Sequence, residues 1–217
     1  MSFKPLTQDK ESLQALAFAM RQDKGTDITQ DELKLAMMDL SAVSPRVREC
    51  CDIDYGKLTA RFNNWYNIGT EKDIEEWTNS SVWTANSLIP TRFLRGGDYV
   101  FSNEIGDPSF RGAFREIAKD ISKNAKDSVV RTVYTSLAKG TGDKWNPADV
   151  IAIKKSKVKS IVGMMESFKK GKPTFKSGSS PSSVSSKSLE LVKDMNMLYQ
   201  YNQFIDSNFK SGDCIPI

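Results

Sequence analysis

The chain has 217 residues, 39% hydrophobic and 27% charged, which is ordinary globular composition and room for one large domain or two small ones. It contains no histidine, which excludes Ser-His-Asp and Cys-His catalysis and every histidine-based zinc site, and leaves any metal to carboxylates and backbone oxygens, the ligands of Mg²⁺, Mn²⁺ or Ca²⁺. Its three cysteines cannot all pair, MSFKPLTQDK has no apolar leader, and no run approaches the roughly 18 apolar residues of a membrane helix, so the expectation is free thiols, a reducing compartment and no membrane partner.

The first hundred residues read as helices. Leu6, Leu13, Leu16, Ala17 and Met20 recur at helical spacing after Thr7, and Gly25 stops the run. Thr29 and Glu32 have capping-box spacing ahead of Leu33, Met37 and Leu40, and Pro45 is expected to close that segment. A third helix is expected over Tyr55 to Tyr66. A fourth is capped by Thr70, with Ile74, Trp77, Val82 and Leu88 as apolar contacts and Pro90 as its end. Trp65, Tyr66, Trp77, Trp83, Met37, Met38, Met164 and Met165 read as packing residues, and Cys50-Cys51 as buried filler.

Gly96-Gly97 marks a turn, and Tyr99 to Phe101 a short strand. Asp107-Pro108-Ser109 opens a helix with Phe110, Phe114, Ile117 and Ile121 on one face. Asp127 to Ala138 fits a helix slightly better than a strand, with Gly140 as its cap. After a turn at Asn146-Pro147, Ala148 to Ile153 is the densest β-branched run and ends at Lys154-Lys155. Val158 to Phe168 is a basic helix ended by Gly171 and Pro173. Residues 177–187 form a Ser-rich loop. Ser188 caps a last helix carrying Leu191, Val192, Met195, Leu198 and Ile205, Gly212 ends it, and Cys214 to Ile217 opens a strand.

The formal net charge of +4 is uneven. Between Lys139 and Lys187 eleven lysines stand against three acids, a net of +8, while the rest of the chain is net −4. The plain reading is a solvated surface; the sharper one is a patch for phosphate backbones, and its all-lysine composition suits contact without sequence readout. An aspartate at the head of a buried strand, as Asp149 is in Asn146-Pro-Ala-Asp-Val-Ile-Ala-Ile153, has the placement that a Mg²⁺-dependent nuclease needs to hold its metal against a scissile phosphate. Asp149 capping a turn or pairing with Lys144, and Glu116 on a solvated helix face, are the structural alternatives.

KWNPADVIAI, with SGDCIPI downstream, resembles a divergent PD-(D/E)XK nuclease-like family of phages and large DNA viruses, over about 110 residues from Asp107 onward. The resemblance implies that Asp149 is a catalytic metal carboxylate, with Glu116 (or Asp120) on a preceding helix as its companion. It also implies that a strand like Ile215-Pro-Ile217 lies beside the Asp149 strand and runs on into a lysine element, which this sequence does not contain. Little or no nuclease activity is therefore expected of this chain.

The expected architecture is α+β, mainly helical: a helical region, 1–106, packed on a small mixed sheet with flanking helices in an α/β nuclease-like region, 107–217. The sheet draws on 99–103, 148–154 and 214–217. The expected function is that of a phage-encoded, DNA-contacting, nuclease-like protein in the virion or host cytoplasm. Mg²⁺ would sit at Asp149 and Glu116, and DNA at Lys144, Lys154, Lys155, Lys157, Lys159, Lys169 and Lys170. The alternative is a phage virion structural protein without catalysis, at the head–tail junction or the capsid interior, whose partners are other virion proteins.

Overall fold

The computed structural model describes residues 7–67, 71–88, 98–103, 110–139, 150–172 and 186–217. Outside them lie the expected features at Thr70, Pro90, Gly96-Gly97, Asp107 to Ser109, Gly140, Lys144 to Asp149 and Pro173, and most of the Ser-rich loop. The fold is α+β and mainly helical, with one small mixed sheet. The chain divides into two units. The first holds Met1–Glu104, Asp149–Lys155 and Pro216–Ile217; the second holds Ile105–Ala148 and Ser156–Ile215.

In the first unit α1 (Thr7–Lys24) is the central helix. Its run Ala15 to Ala19 is wholly buried, so the helix is apolar around its circumference there and must be covered on all sides. α5 (Glu71–Leu88) packs on it, and Phe18 stacks on Phe101 of the sheet with ring centroids 5.5 Å apart. α2 (Gln30–Met38) begins where the sequence says. Thr29 Oγ1 accepts from the Glu32 N–H at 3.2 Å, and Glu32 Oε2 accepts from the Thr29 N–H at 2.7 Å. Lys24 hydrogen-bonds the same carboxylate and holds its pKa below the usual value, with the Thr29 N–H as the next cause. Thr29→Ala leaves the Glu32 N–H without its acceptor and is expected to cost about 1 kcal/mol in chemical denaturation; an unchanged midpoint would show the box to be idle.

Pro45 does not close the segment; it opens α3 (Pro45–Glu49). Ser44 caps this helix, its Oγ accepting from the Val47 N–H at 3.1 Å. At the first helical position a missing N–H costs nothing, so the ring that would break a helix interior starts one here. α3 leads into β1 (Cys51–Asp52), which the sequence reading did not anticipate because two residues show no period. α4 (Tyr55–Asn67) follows. β2 (Tyr99–Ser102) runs parallel to β1 and antiparallel to β3 (Ile151–Lys154), with Phe101 opposite Cys51 and Ala152. The strand order is β1-β2-β3-β4, where β4 is Cys214–Pro216.

Three packing expectations fail, one of them at Leu88, which is exposed at the end of α5. Trp83 is 70% exposed and Met38 47% exposed, on the outer sides of α5 and α2. Trp77 is half-buried, with the Lys10 ammonium 4.5 Å above its ring. The side chains of Trp65 and Tyr66, and all of Trp145, lie outside the described residues.

The second unit is built on α6 (Gly112–Asn124), which buries Ala113, Phe114, Ile117, Ala118 and Ile121 along one stripe. α7 (Ser128–Ala138), α8 (Val158–Lys169) and α9 (Ser186–Lys210) pack on it. α9 starts two residues before the expected cap at Ser188, so the end of the Ser-rich loop is already helix. Tyr201 of α9 is fully buried. Its ring meets Phe168 edge-on at 5.5 Å, and its hydroxyl donates to the Phe110 carbonyl at 2.9 Å. Gly171 and Gly212 end α8 and α9 with φ of +66° and +67°, a conformation only glycine adopts freely, so both expected stops are present.

Candidate nucleic-acid interface

The strand expected before Lys154-Lys155 is β3, buried at Ile151, Ala152 and Ile153, with Val150 buried just ahead of it. Such a continuous apolar run suits a strand covered on both faces. Its neighbour is the chain's last segment: the Ile217 N–H donates to the Val150 carbonyl at 2.9 Å. Asp149 and Lys144 themselves lie outside the described residues. Glu116 sits on α6, half-exposed, with Lys119 Nζ 3.4 Å from its carboxylate one turn on. Among the described residues no three or more acidic or cysteine side chains come together as a metal ion would require. The described residues thus do not by themselves fit a Mg²⁺ site, and no catalytic step follows from them.

The lysines separate into committed and uncommitted groups. Lys155 Nζ lies 2.6 Å from Glu49, which raises the Lys155 pKa and lowers that of Glu49; both groups are exposed, so the pair adds little to stability. Beside it Arg46 binds Asp98 at 2.6 Å and reaches Asp23 at 3.7 Å, so this part of the first unit is a mixed network rather than a cationic surface. Lys154 is half-buried at the end of β3. In the second unit Lys157 faces Asp213 at 3.6 Å and Lys169 faces Glu166 at 2.6 Å. Lys159, Lys170 and Lys172 are exposed and, among the described residues, form no ion pair. The sequence reading singled out the first two and passed over Lys172; its signal was its place in the same charge run.

All three cysteines are unpaired and buried. Burial pushes the thiols of Cys51 and Cys214 up to about 12, and that of Cys50 up as well. A thiol so hard to ionise is a poor nucleophile and a poor metal ligand, which leaves the cysteines a packing role. No helix of the described residues is long and apolar enough to cross a membrane. No protein-family model, curated protein or solved structure matches this chain.

Proposed function

We propose that this chain is a phage-encoded, DNA-contacting protein with a nuclease-like core, carried in the virion, and that it holds DNA rather than cutting it. The observation that carries this is the pairing at the head of β3. The likeness of KWNPADVIAI to the nuclease-like family expects the terminal strand beside the strand that follows Asp149, and Ile217 donates to Val150, the residue next to Asp149 in sequence. The local excess of lysine supports contact with phosphate, because bound lysines release condensed counterions. Holding is favoured over cutting because, of the two acids expected to join Asp149, Glu116 is turned to Lys119 and Asp120 is exposed with no cluster of acids about it among the described residues. The same observation favours the second reading, a virion structural protein without catalysis.

The test is a binding and cleavage assay on duplex DNA with the full chain. Binding is expected at low salt and weakens steeply as salt rises. Added Mg²⁺ is expected to produce little or no cleavage, and Asp149→Ala to leave binding intact. Robust Mg²⁺-dependent cleavage lost in Asp149→Ala would replace holding with catalysis. No binding even at low salt would remove the DNA reading and leave the structural one.

A further inference from the structure

We infer that the DNA-contacting surface of the second unit is the outer face of α8 and the turn after it, and that it docks on the sugar–phosphate backbone of a duplex. This rests on the proposed contact with DNA and assigns it to particular residues. Three observations converge there. First, Lys159, Lys170 and Lys172 are exposed cations of this segment with no ion pair within 4 Å among the described residues, Lys170 acting on Glu166 only at longer range, whereas Lys155, Lys157 and Lys169 are spent on Glu49, Asp213 and Glu166. Second, Lys159 and Lys170 stand on one stripe of the helix with Gly163 between them, at positions i, i+4 and i+11. Along the axis the two residues' backbones are about 16 Å apart, far enough for their side chains to meet separate phosphates.

Third, Gly163 is exposed in mid-helix, and a Cβ built on it would touch nothing within 4 Å. Its φ is not positive, so neither backbone conformation nor packing demands glycine. A glycine there weakens the helix relative to alanine. What it provides is a low point where another backbone can approach closely. The hydroxyls beside it keep the point low: Ser160 Oγ donates to the Lys157 carbonyl at 3.0 Å and Ser167 Oγ to the Met164 carbonyl at 2.8 Å.

The character of the face selects the partner. The apolar side of α8, Ile161, Met165 and Phe168, is buried in the unit's core, and the partly exposed Val158, Val162 and Met164 are too few to make the broad apolar face that a membrane-lying helix inserts into a bilayer. The exposed side of α8 carries no aromatic ring on which an unpaired base could stack, which argues against single strands. The one acid on this stripe, Glu166, is neutralised by Lys169 at 2.6 Å, and the remaining lysine, serine and glycine suit a rigid phosphate ridge read without regard to sequence.

The experiment is fluorescence anisotropy of a labelled duplex with the full chain across a NaCl series. Neutralising the surface in Lys159→Gln/Lys170→Gln/Lys172→Gln is expected to lower the slope of log affinity against log salt by about 2 to 3. The same charge change on other helices of this unit, Lys119→Gln/Lys123→Gln/Lys210→Gln, lowers it far less. Gly163→Ala raises the melting midpoint yet weakens binding, and Gly163→Leu weakens it further at every salt concentration. Wild-type binding that survives the first triple substitution, or that the control substitution reduces as much, overturns the assignment to α8 while leaving DNA contact standing. A wild-type chain that binds no duplex at low salt removes the DNA reading itself. Tighter binding to vesicles rich in anionic lipid than to duplex, lost in the same variants, makes the partner a membrane and overturns the inference.

Discussion

Raising the pH from 8 towards 12 is expected to unfold the protein, and replacing two buried thiols is expected to blunt that loss. Cys51 and Cys214 ionise near 9 in an ordinary setting, and in the folded chain desolvation pushes both up to about 12. For Cys51 the neighbouring Tyr55 works against that rise; for Cys214 the neighbouring Asp213 adds to it. Below about 9 the thiols are protonated in both states, and their contribution is whole. Between 9 and 12 the unfolded chain releases protons that the folded chain retains, so mass action favours unfolding and stability falls as pH rises. Three units correspond to about 4 kcal/mol per thiol, against a typical total stability of about 5–15 kcal/mol. Burial raises Tyr55 and Tyr201 in the same direction, so they add to the alkaline loss. The measurement is urea unfolding at half-unit steps from pH 8 to 11. Wild type should lose stability faster than Cys51→Ala/Cys214→Ala above pH 9, by up to about 1.4 kcal/mol per pH unit for each thiol. Parallel curves would mean that the thiols ionise freely in the fold.

Local grammar was legible in this sequence where it is satisfied within a few residues. The Thr29–Glu32 box, the β-branched run of β3, and the glycines behind α8 and α9 are contacts over three to five positions, and each appears where the residues place it. Ser44-Pro45 is equally local, and the expectation of an end there fails because a proline suits a first helical position as well as a stop. β1 was not legible: two residues carry no period, and what makes Cys51–Asp52 a strand is Phe101, fifty residues on. Trp83 went wrong for the opposite reason, since its helical spacing is apolar but nothing in the first unit covers it. The charge run was legible as a sum and not as a surface. Which lysines remain available depends on Glu49 and Asp213, and no spacing rule pairs Lys155 with a residue 106 positions away.

Gln22→Leu is expected to be the most damaging single change in the first unit that removes no apolar contact area. Gln22 is buried in the last turns of α1, beside Tyr99 at the head of β2. Its carboxamide binds the strand's backbone twice: Nε2 donates to the Tyr99 carbonyl at 3.0 Å, and Oε1 accepts from the Tyr99 N–H at 2.9 Å. The reason lies in the length of β1. The Phe101 N–H donates to the Cys50 carbonyl at 2.9 Å, and one step earlier the chain is still the α3 helix. Two residues up β2, the edge facing β1 therefore has no strand to pair with, and a side-chain amide supplies the missing donor and acceptor. Leucine has similar bulk and neither group. It would leave a buried N–H and a buried carbonyl unmatched, at about 1–3 kcal/mol each, so a loss of about 2–6 kcal/mol is expected. Gln22→Glu keeps the acceptor, loses the donor and brings a charge into a buried place, so it too should be destabilising. β2 holds β3 along its other edge, with Tyr99 opposite Lys154 and Val100 opposite Ile153, so the damage should reach the strand that follows Asp149. Hydrogen exchange can follow this: the amides of Tyr99 and of β3 should lose protection in Gln22→Leu while those of α6 keep theirs. A stability loss below about 0.5 kcal/mol, or unchanged exchange at Tyr99, would show that water or a neighbour replaces the amide and that the strand head does not depend on Gln22.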